Sequence, residues 1–289
     1  MLSTYNPMMP ENYLPQRVVS LQPSITVTLR DLGLLDRLVA CTRYCLEVCP
    51  EINEKQCAVV EDSWTAQSDQ ILAAKPDLVM ASVPYQVESL VEIMKSGVAF
   101  VAFAPKSLAD VFADIATIAR IMGAEERGLK VISRMQGDID SVREAMSGAE
   151  RPLVYCEEWG KPLILSQHWV AELVEAAGGR FFGQPGKQVT VEEVASANPD
   201  VIVAAWCGAG DRVPLEKIVS RRDWEQTKAA LNGHVYCIND EFLNTPASTL
   251  ILGLHALAAA IHPAIFPAVK GLRRIQPIAT LSLASETKS

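Results

Sequence analysis

Two stretches, "DQILAAKPDLVMAS" at Asp69–Ser82 and "EEVASANPDVIVAA" at Glu192–Ala205, repeat one pattern in the two halves of the chain. Each opens on acidic residues, continues with apolar residues at helical spacing, breaks at Pro-Asp and ends in a continuous aliphatic run. In the first copy Ile71, Leu72 and Ala74 share a helical face, Pro76 stops the helix, and Leu78–Ala81 suit a strand covered on both faces, as in a parallel sheet. Two such units point to two similar α/β lobes.

The alternation extends outward from each copy. In the first half "RVVSLQP", "LVACT" and "GVAFVAF" read as strands separated by helical segments. In the second half "PLVYCE", "DVIVAAW" and "HVYCIND" do the same, with "WVAELVEAAGG" between, and "STLILGLHALAAAIHP" closes the half as a helix ended by Pro263. Between the halves, apolar residues recur three and four apart and predict two helices, the second a long connector from about Ala124 to Ser147. The expected architecture is therefore α/β: two Rossmann-like three-layer lobes with parallel sheets, joined by one long helix, with a ligand cleft between the lobes. The boundaries read as a flexible segment 1–16, a lobe 17–118, a helical spine 119–150, a lobe 151–268 and a loose tail 269–289. A single stiff spine implies that the lobes rock only slightly.

Composition narrows the function. The chain has 289 residues, 49% of them apolar and 21% charged, enough for two cores. A net charge of −8 without a basic block excludes a nucleic-acid surface. The run "TLILGLHALAAAIHPAIFPAV" from Thr249 is interrupted by His255, His262 and two prolines, so it reads as a buried helix and not a membrane span. "MLSTYNPMMPENYLPQR" lacks a charged start followed by an apolar run and does not read as a secretory signal, so the expected location is cytoplasmic as written, or periplasmic or membrane-associated if an export signal was removed. Seven unevenly spaced cysteines favour reduced thiols.

With these pieces assembled, the chain resembles the helical-backbone, class III solute-binding proteins of cobalamin and iron-siderophore ABC importers, and in particular their cobalamin-binding subgroup. The resemblance rests on "RVVSLQPSITVTLRDLG" with its Ser-x-x-Pro-Ser segment, "TRYC" followed by Pro50, "ILAAKPDLVMA", "EEWGKPLILSQHWVAELVEAAGG" and the terminal "GLHALAAAIHP", which together span Arg17 to Pro263. It implies a ligand-binding protein for a cobalamin-like corrinoid or related metal chelate, serving as the substrate-binding component of an ABC importer and requiring no cofactor of its own. It also implies that acidic residues on the lobe tops dock the permease, with Glu88, Glu92 and Glu216 as candidates. The segment "DEFLNTPAS" departs from the aromatic and basic residues that relatives carry before the last helix.

Ligand-facing groups of open α/β lobes sit past the carboxyl ends of the strands. In the first half that rule selects Gln22, Pro23 and Ser24, Tyr44 and Cys45, Trp64, and Val83, Pro84 and Tyr85. In the second it selects Glu157, Glu158, Trp159, Gly160 and Lys161 after a strand ending near Cys156, then Trp206 and Cys207, and Glu241 and Phe242. Ser166 is placed to cap the next helix, with His168 and Trp169 in its first turn. Such aromatics suit a large, flat, partly apolar ligand, and core packing is the competing reading for each. Glu158 and Lys161 alternatively form a solvated pair. His168 either ligates a corrinoid cobalt or heme iron or bonds the backbone at a helix start. Cys41, Cys45 and Cys49, four apart with Cys57 beyond, invite a metal reading, although the spacing matches no zinc or cluster signature. No nucleophile elbow, phosphate loop or glycine-rich dinucleotide turn is present, so a binding protein is expected and not an enzyme. The alternative is a cytoplasmic corrinoid or chelate carrier, sensor or processing protein that keeps the fold without export.

Overall fold

A computed structural model describes residues 14–53 and 55–275. The expected segments 1–16 and 269–289 therefore lie largely outside the described residues. The chain divides into two compact units. One comprises the described residues up to Ala104 together with Asp114–Leu129, and the other comprises Pro105–Ala113 and the described residues from Lys130 onward.

The first unit alternates strictly: β1 Val18–Ser20, α1 Pro23–Asp31, β2 Leu38–Cys41, α2 Arg43–Val48, β3 Ala58–Val59, α3 Ser68–Ala73, β4 Leu78–Ser82, α4 Val87–Lys95 and β5 Ala99–Phe103. Its sheet has the order β3-β2-β1-β4-β5. Every pairing in it is parallel. Two helices, α5 Leu108–Ile121 and α6 Glu125–Ala145, contribute residues to both units. They approach closely where Gly128 meets Ala119: a Cβ there would lie 2.4 Å from the alanine methyl.

The second unit holds β6 Leu153–Gly160, β7 Leu163–Leu165, α7 His168–Ala176, β8 Arg180–Phe181, β9 Gln188–Val189, α8 Val191–Ala197, β10 Val201–Ala204, α9 Leu215–Arg221, α10 Lys228–Leu231, β11 Val235–Ile238, α11 Glu241–Asn244, α12 Leu250–Ile261 and β12 Leu272–Arg274. Its sheet runs β12-β11-β10-β6-β7-β9, with β8 on β6. The centre, β11-β10-β6, is parallel as expected. The flanks are not: β7 and β12 are antiparallel additions. β6 does not end near Cys156 but continues to Gly160 and turns back through Lys161-Pro162. β12 forms where the tail lacks periodicity, held because Arg273 and Arg274 donate to the carbonyls of Asp211 and Gly233.

The repeat shows why the two sheets are alike. Lys75 and Asn198 both take left-handed backbone, φ 49° and 48°, immediately before Pro76 and Pro199. The following aspartates then clamp the neighbouring strand: Asp77 accepts from Gln16 N and Arg17 N ahead of β1, and Asp200 accepts from Leu153 N at the start of β6. α8 is closed by a full capping box between Thr190 and Glu193. The expectation for α3 holds only in part, since Ile71 is buried and Leu72 is exposed. Most of α12 is buried, with Leu252 exposed, and among the described residues no helix is long and apolar enough to cross a membrane.

Candidate functional site: the strand-end rims

Alternation along β6 sends Tyr155 and Glu157 to one side, toward the core cluster that contains Trp224. Glu157 is fully buried and is no rim residue. Arg222 Nη1 donates to both its oxygens, at 3.0 and 2.9 Å, and Trp206 Nε1 donates to Oε1 at 2.8 Å. The Tyr155 hydroxyl donates to the same carboxylate. Burial pushes the Glu157 carboxyl upward, and Arg222, Tyr155 and Trp206 pull against that shift. The guanidinium lies 4.9 Å from the Trp224 ring centre and 6.0 Å from that of Trp206, while its Nη2 donates to Gly160 O at 3.0 Å. One arginine thereby ties the end of β6 to the indole that follows β10.

Above this pair the indoles line a cavity of about 770 Å³. Trp206 is partly buried and packs closely against Gly160, where an added Cβ would sit 2.3 Å from the ring. Trp159, 45% exposed, is steadied by its Nε1 donating to Lys161 O at 3.1 Å. Leu163 and Ile218 give the cavity apolar surface, and Lys161, Cys207, Lys217 and Arg221 also border it. Glu158 points to the other side of β6 and does not pair with Lys161. It accepts from the Gln167 amide, and burial lifts its carboxyl to about 7. Cys207 Sγ accepts from Asn244 Nδ2 at 3.3 Å.

The first unit has its own rim cavity, of about 430 Å³, in which Tyr44 and Trp64 come together with Thr42, Arg43, Asp62 and Gln70. Arg43 lies 4.6 Å over the Tyr44 ring and donates to its hydroxyl. Asp62 accepts from Trp64 N at 2.9 Å and holds that loop.

Other expected site residues fall elsewhere. Cys45 is fully buried, because the Thr42 cap of α2 turns its thiol inward to 3.2 Å from Thr42 Oγ1. Tyr85 packs on the first core and spends its hydroxyl on Phe103 O. Pro23 and Ser24 form the first turn of α1, with Ser24 buried, and do not border the Tyr44–Trp64 cavity. Phe242 is buried beneath Gly271 and is not at the rim. Trp169 is core, its Nε1 bonded to Leu243 O at 2.8 Å. Ser166 does not cap α7; its hydroxyl turns to Cys156 Sγ.

His168 begins α7 and borders a different cavity, of about 1010 Å³, formed with α6 and α7 residues such as Arg143, Glu172 and Glu175. Its Nδ1 is 3.7 Å from Glu172 Oε2, and Trp159 and Trp206 are not among the residues around it. Cys41, Cys45, Cys49 and Cys57 are buried free thiols, with Cys41 and Cys57 sulfurs 3.4 Å apart. Among the described residues no group of three or more His, Cys, Asp or Glu is placed to hold a metal. Glu88 and Glu216 are exposed in the first turns of α4 and α9, whereas Glu92 is engaged by Lys95 and Ser68.

Sequence reading missed Arg222, Gln167 and the α9 cations. Arg222 sits in "SRRDW", and only the fold shows that its partner is 65 positions away. Lys217 and Arg221 carry an i, i+4 spacing that places them on one helix face, a signal available in the sequence.

Two α/β units, each displaying aromatic side chains at the carboxyl ends of its strands and bordering a cavity there, define a two-lobe ligand-binding protein. The chain belongs to the periplasmic binding protein family, whose match covers residues 18–242. It is 25% identical over 268 residues, 87% of this chain and 82% of the relative, to an uncharacterised ABC transporter substrate-binding lipoprotein of Bacillus subtilis. It is 26% identical over 243 residues, 80% of this chain and 83% of the relative, to a vitamin B12-binding protein of Vibrio cholerae. A crystal structure of a periplasmic heme-binding protein from Pseudomonas aeruginosa superposes with a TM-score of 0.77 at 21% identity, covering 91% of this chain and 99% of that one.

Proposed function

We propose that this chain is the substrate-binding component of an ABC importer and takes a cobalamin-like corrinoid or a related metal chelate such as heme at the rim that carries Trp159 and Trp206. The observation that carries the reading is the pair of indoles bordering one cavity, each with its ring nitrogen tied down, Trp206 to Glu157 and Trp159 to Lys161 O. Fixed indoles offer a large flat apolar surface at little entropic cost, which suits a macrocycle. The names of the relatives support the same ligand class. Tyr44 and Trp64 supply a second aromatic set on the first lobe.

The reading makes the chain a binder and not an enzyme, with no cofactor of its own. Family members are binding proteins, and the groups around the rim cavity include no nucleophile paired with a base. Relatives described as lipoprotein or periplasmic favour export. Permease docking then falls to Glu88 and Glu216 in preference to Glu92, which is already paired. The cytoplasmic carrier or sensor remains as a second reading, favoured by seven free cysteines.

The test is a titration with cyanocobalamin and with hemin, followed by tryptophan quenching and by the visible spectrum of the chelate, on wild type and Trp159→Ala. Saturable binding that weakens in the variant supports the proposal. Absence of binding for both chelates contradicts it.

A further inference from the structure

The rim cavity is cationic in a chain whose net charge is −8. Lys161 reaches it from the turn after β6, and Lys217 and Arg221 from successive turns of α9. None of the three enters a salt bridge among the described residues. The fourth cation at the cavity, Arg222, is neutralised from beneath by Glu157. No aspartate or glutamate borders the space. Three uncompensated like charges around one concavity repel each other, and a bound anion relieves that repulsion. The indoles and Ile218 meanwhile give the same cavity an apolar surface.

Resting on the reading of this rim as the ligand site, we infer that the ligand is a flat chelate carrying carboxylates along one edge, which it presents to Lys161, Lys217 and Arg221. The two chelate classes differ here. A corrin edged with neutral amides offers these cations only polar contacts, whereas a tetrapyrrole bearing free carboxylates forms charge-assisted hydrogen bonds with them. The arginine can take a carboxylate through two nitrogens, and each lysine acts as a point charge. The cationic edge thus sets specificity within the class of ligand that the indoles accept.

The experiment compares hemin, hemin dimethyl ester and cyanocobalamin on wild type, on Lys217→Gln/Arg221→Gln and on the charge-retaining Lys217→Arg/Arg221→Lys. Both substituted residues are exposed, so folding is preserved. Hemin is expected to bind wild type at least about ten-fold more tightly than its ester, to lose about that much in the glutamine variant, and to recover in the charge-retaining one. Raising salt should weaken hemin and leave the ester unaffected. Equal binding of acid and ester, or preference for cyanocobalamin, would overturn the inference while leaving the rim as the binding site. Failure of all three probes would overturn the rim reading and this inference with it.

Discussion

Arg222 and Glu157 form a largely buried ion pair, with both carboxylate oxygens within 3.0 Å of one guanidinium nitrogen, at the floor of the cavity bordered by Trp206. The same guanidinium also holds Gly160 O, so the pair couples the end of β6 to the indole. Removing one partner leaves an uncompensated charge in the core. Arg222→Ala is expected to cost about 3–5 kcal/mol, and replacing both residues by apolar ones of similar volume should cost less than that single change. Urea unfolding of the two variants checks this, and a double variant no more stable than Arg222→Ala contradicts it.

Gly160 is the seat of the Trp206 ring, so Gly160→Ala must move either the indole or the strand end. A loss of about 1–3 kcal/mol is expected, together with a shift in the tryptophan emission spectrum. A variant indistinguishable from wild type in both would show that the indole is not seated there.

Glu158 makes stability depend on pH. Burial lifts its folded-state value from 4.5 to about 7, so the folded protein holds this proton more tightly than the unfolded chain. That contribution is complete below the unfolded value and is lost as pH rises through the folded one, a change on the order of 3 kcal/mol. Glu158→Gln keeps the shape and removes the titration. Between about pH 5 and pH 8 the Tm of wild type should therefore fall by a few degrees relative to the variant; parallel Tm profiles would refute the assignment.

Cys41 at the end of β2 and Cys57 just before β3 are poised to join. The contact with Cys41 draws the Cys57 thiol down, making it the first attacking group, while hydrogen bonding with Cys45 and then Cys57 raises Cys41. With a low-mass disulfide as oxidant, Cys57 displaces one thiolate to form a mixed disulfide, and Cys41 then displaces the second to close the protein bond. Peptide mapping should find Cys41 linked to Cys57, and Cys57→Ser should abolish the link. Oxidation confined to the exposed Cys207 would contradict the expectation.

The alternating frame was legible because it is written locally: helical spacing, Pro-Asp breaks and aliphatic runs each occupy a few residues, and Pro76 and Pro199 stop their helices where expected. The aromatic rim followed from the strand-end rule, which located Trp64, Trp159 and Trp206. What escaped depends on partners distant in sequence. Glu157 looks like a surface residue beside Glu158 until Arg222 is brought beneath it. Phe242 looks like a rim aromatic until Gly271 packs against it. Cys45 and Tyr85 lie at strand ends yet turn inward, because Thr42 and Phe103 O engage their polar atoms. His168 follows the strands in sequence, but the β6–β7 hairpin carries it to the groove beside α6.

The most direct measurement is amide hydrogen exchange of the protein with and without a saturating chelate, hemin first and cyanocobalamin second. The account expects new protection concentrated at residues 158–163 and 206–221, around Trp159 and Trp206. Protection centred instead on the α6–α7 groove near His168, or no change at either indole, would contradict it.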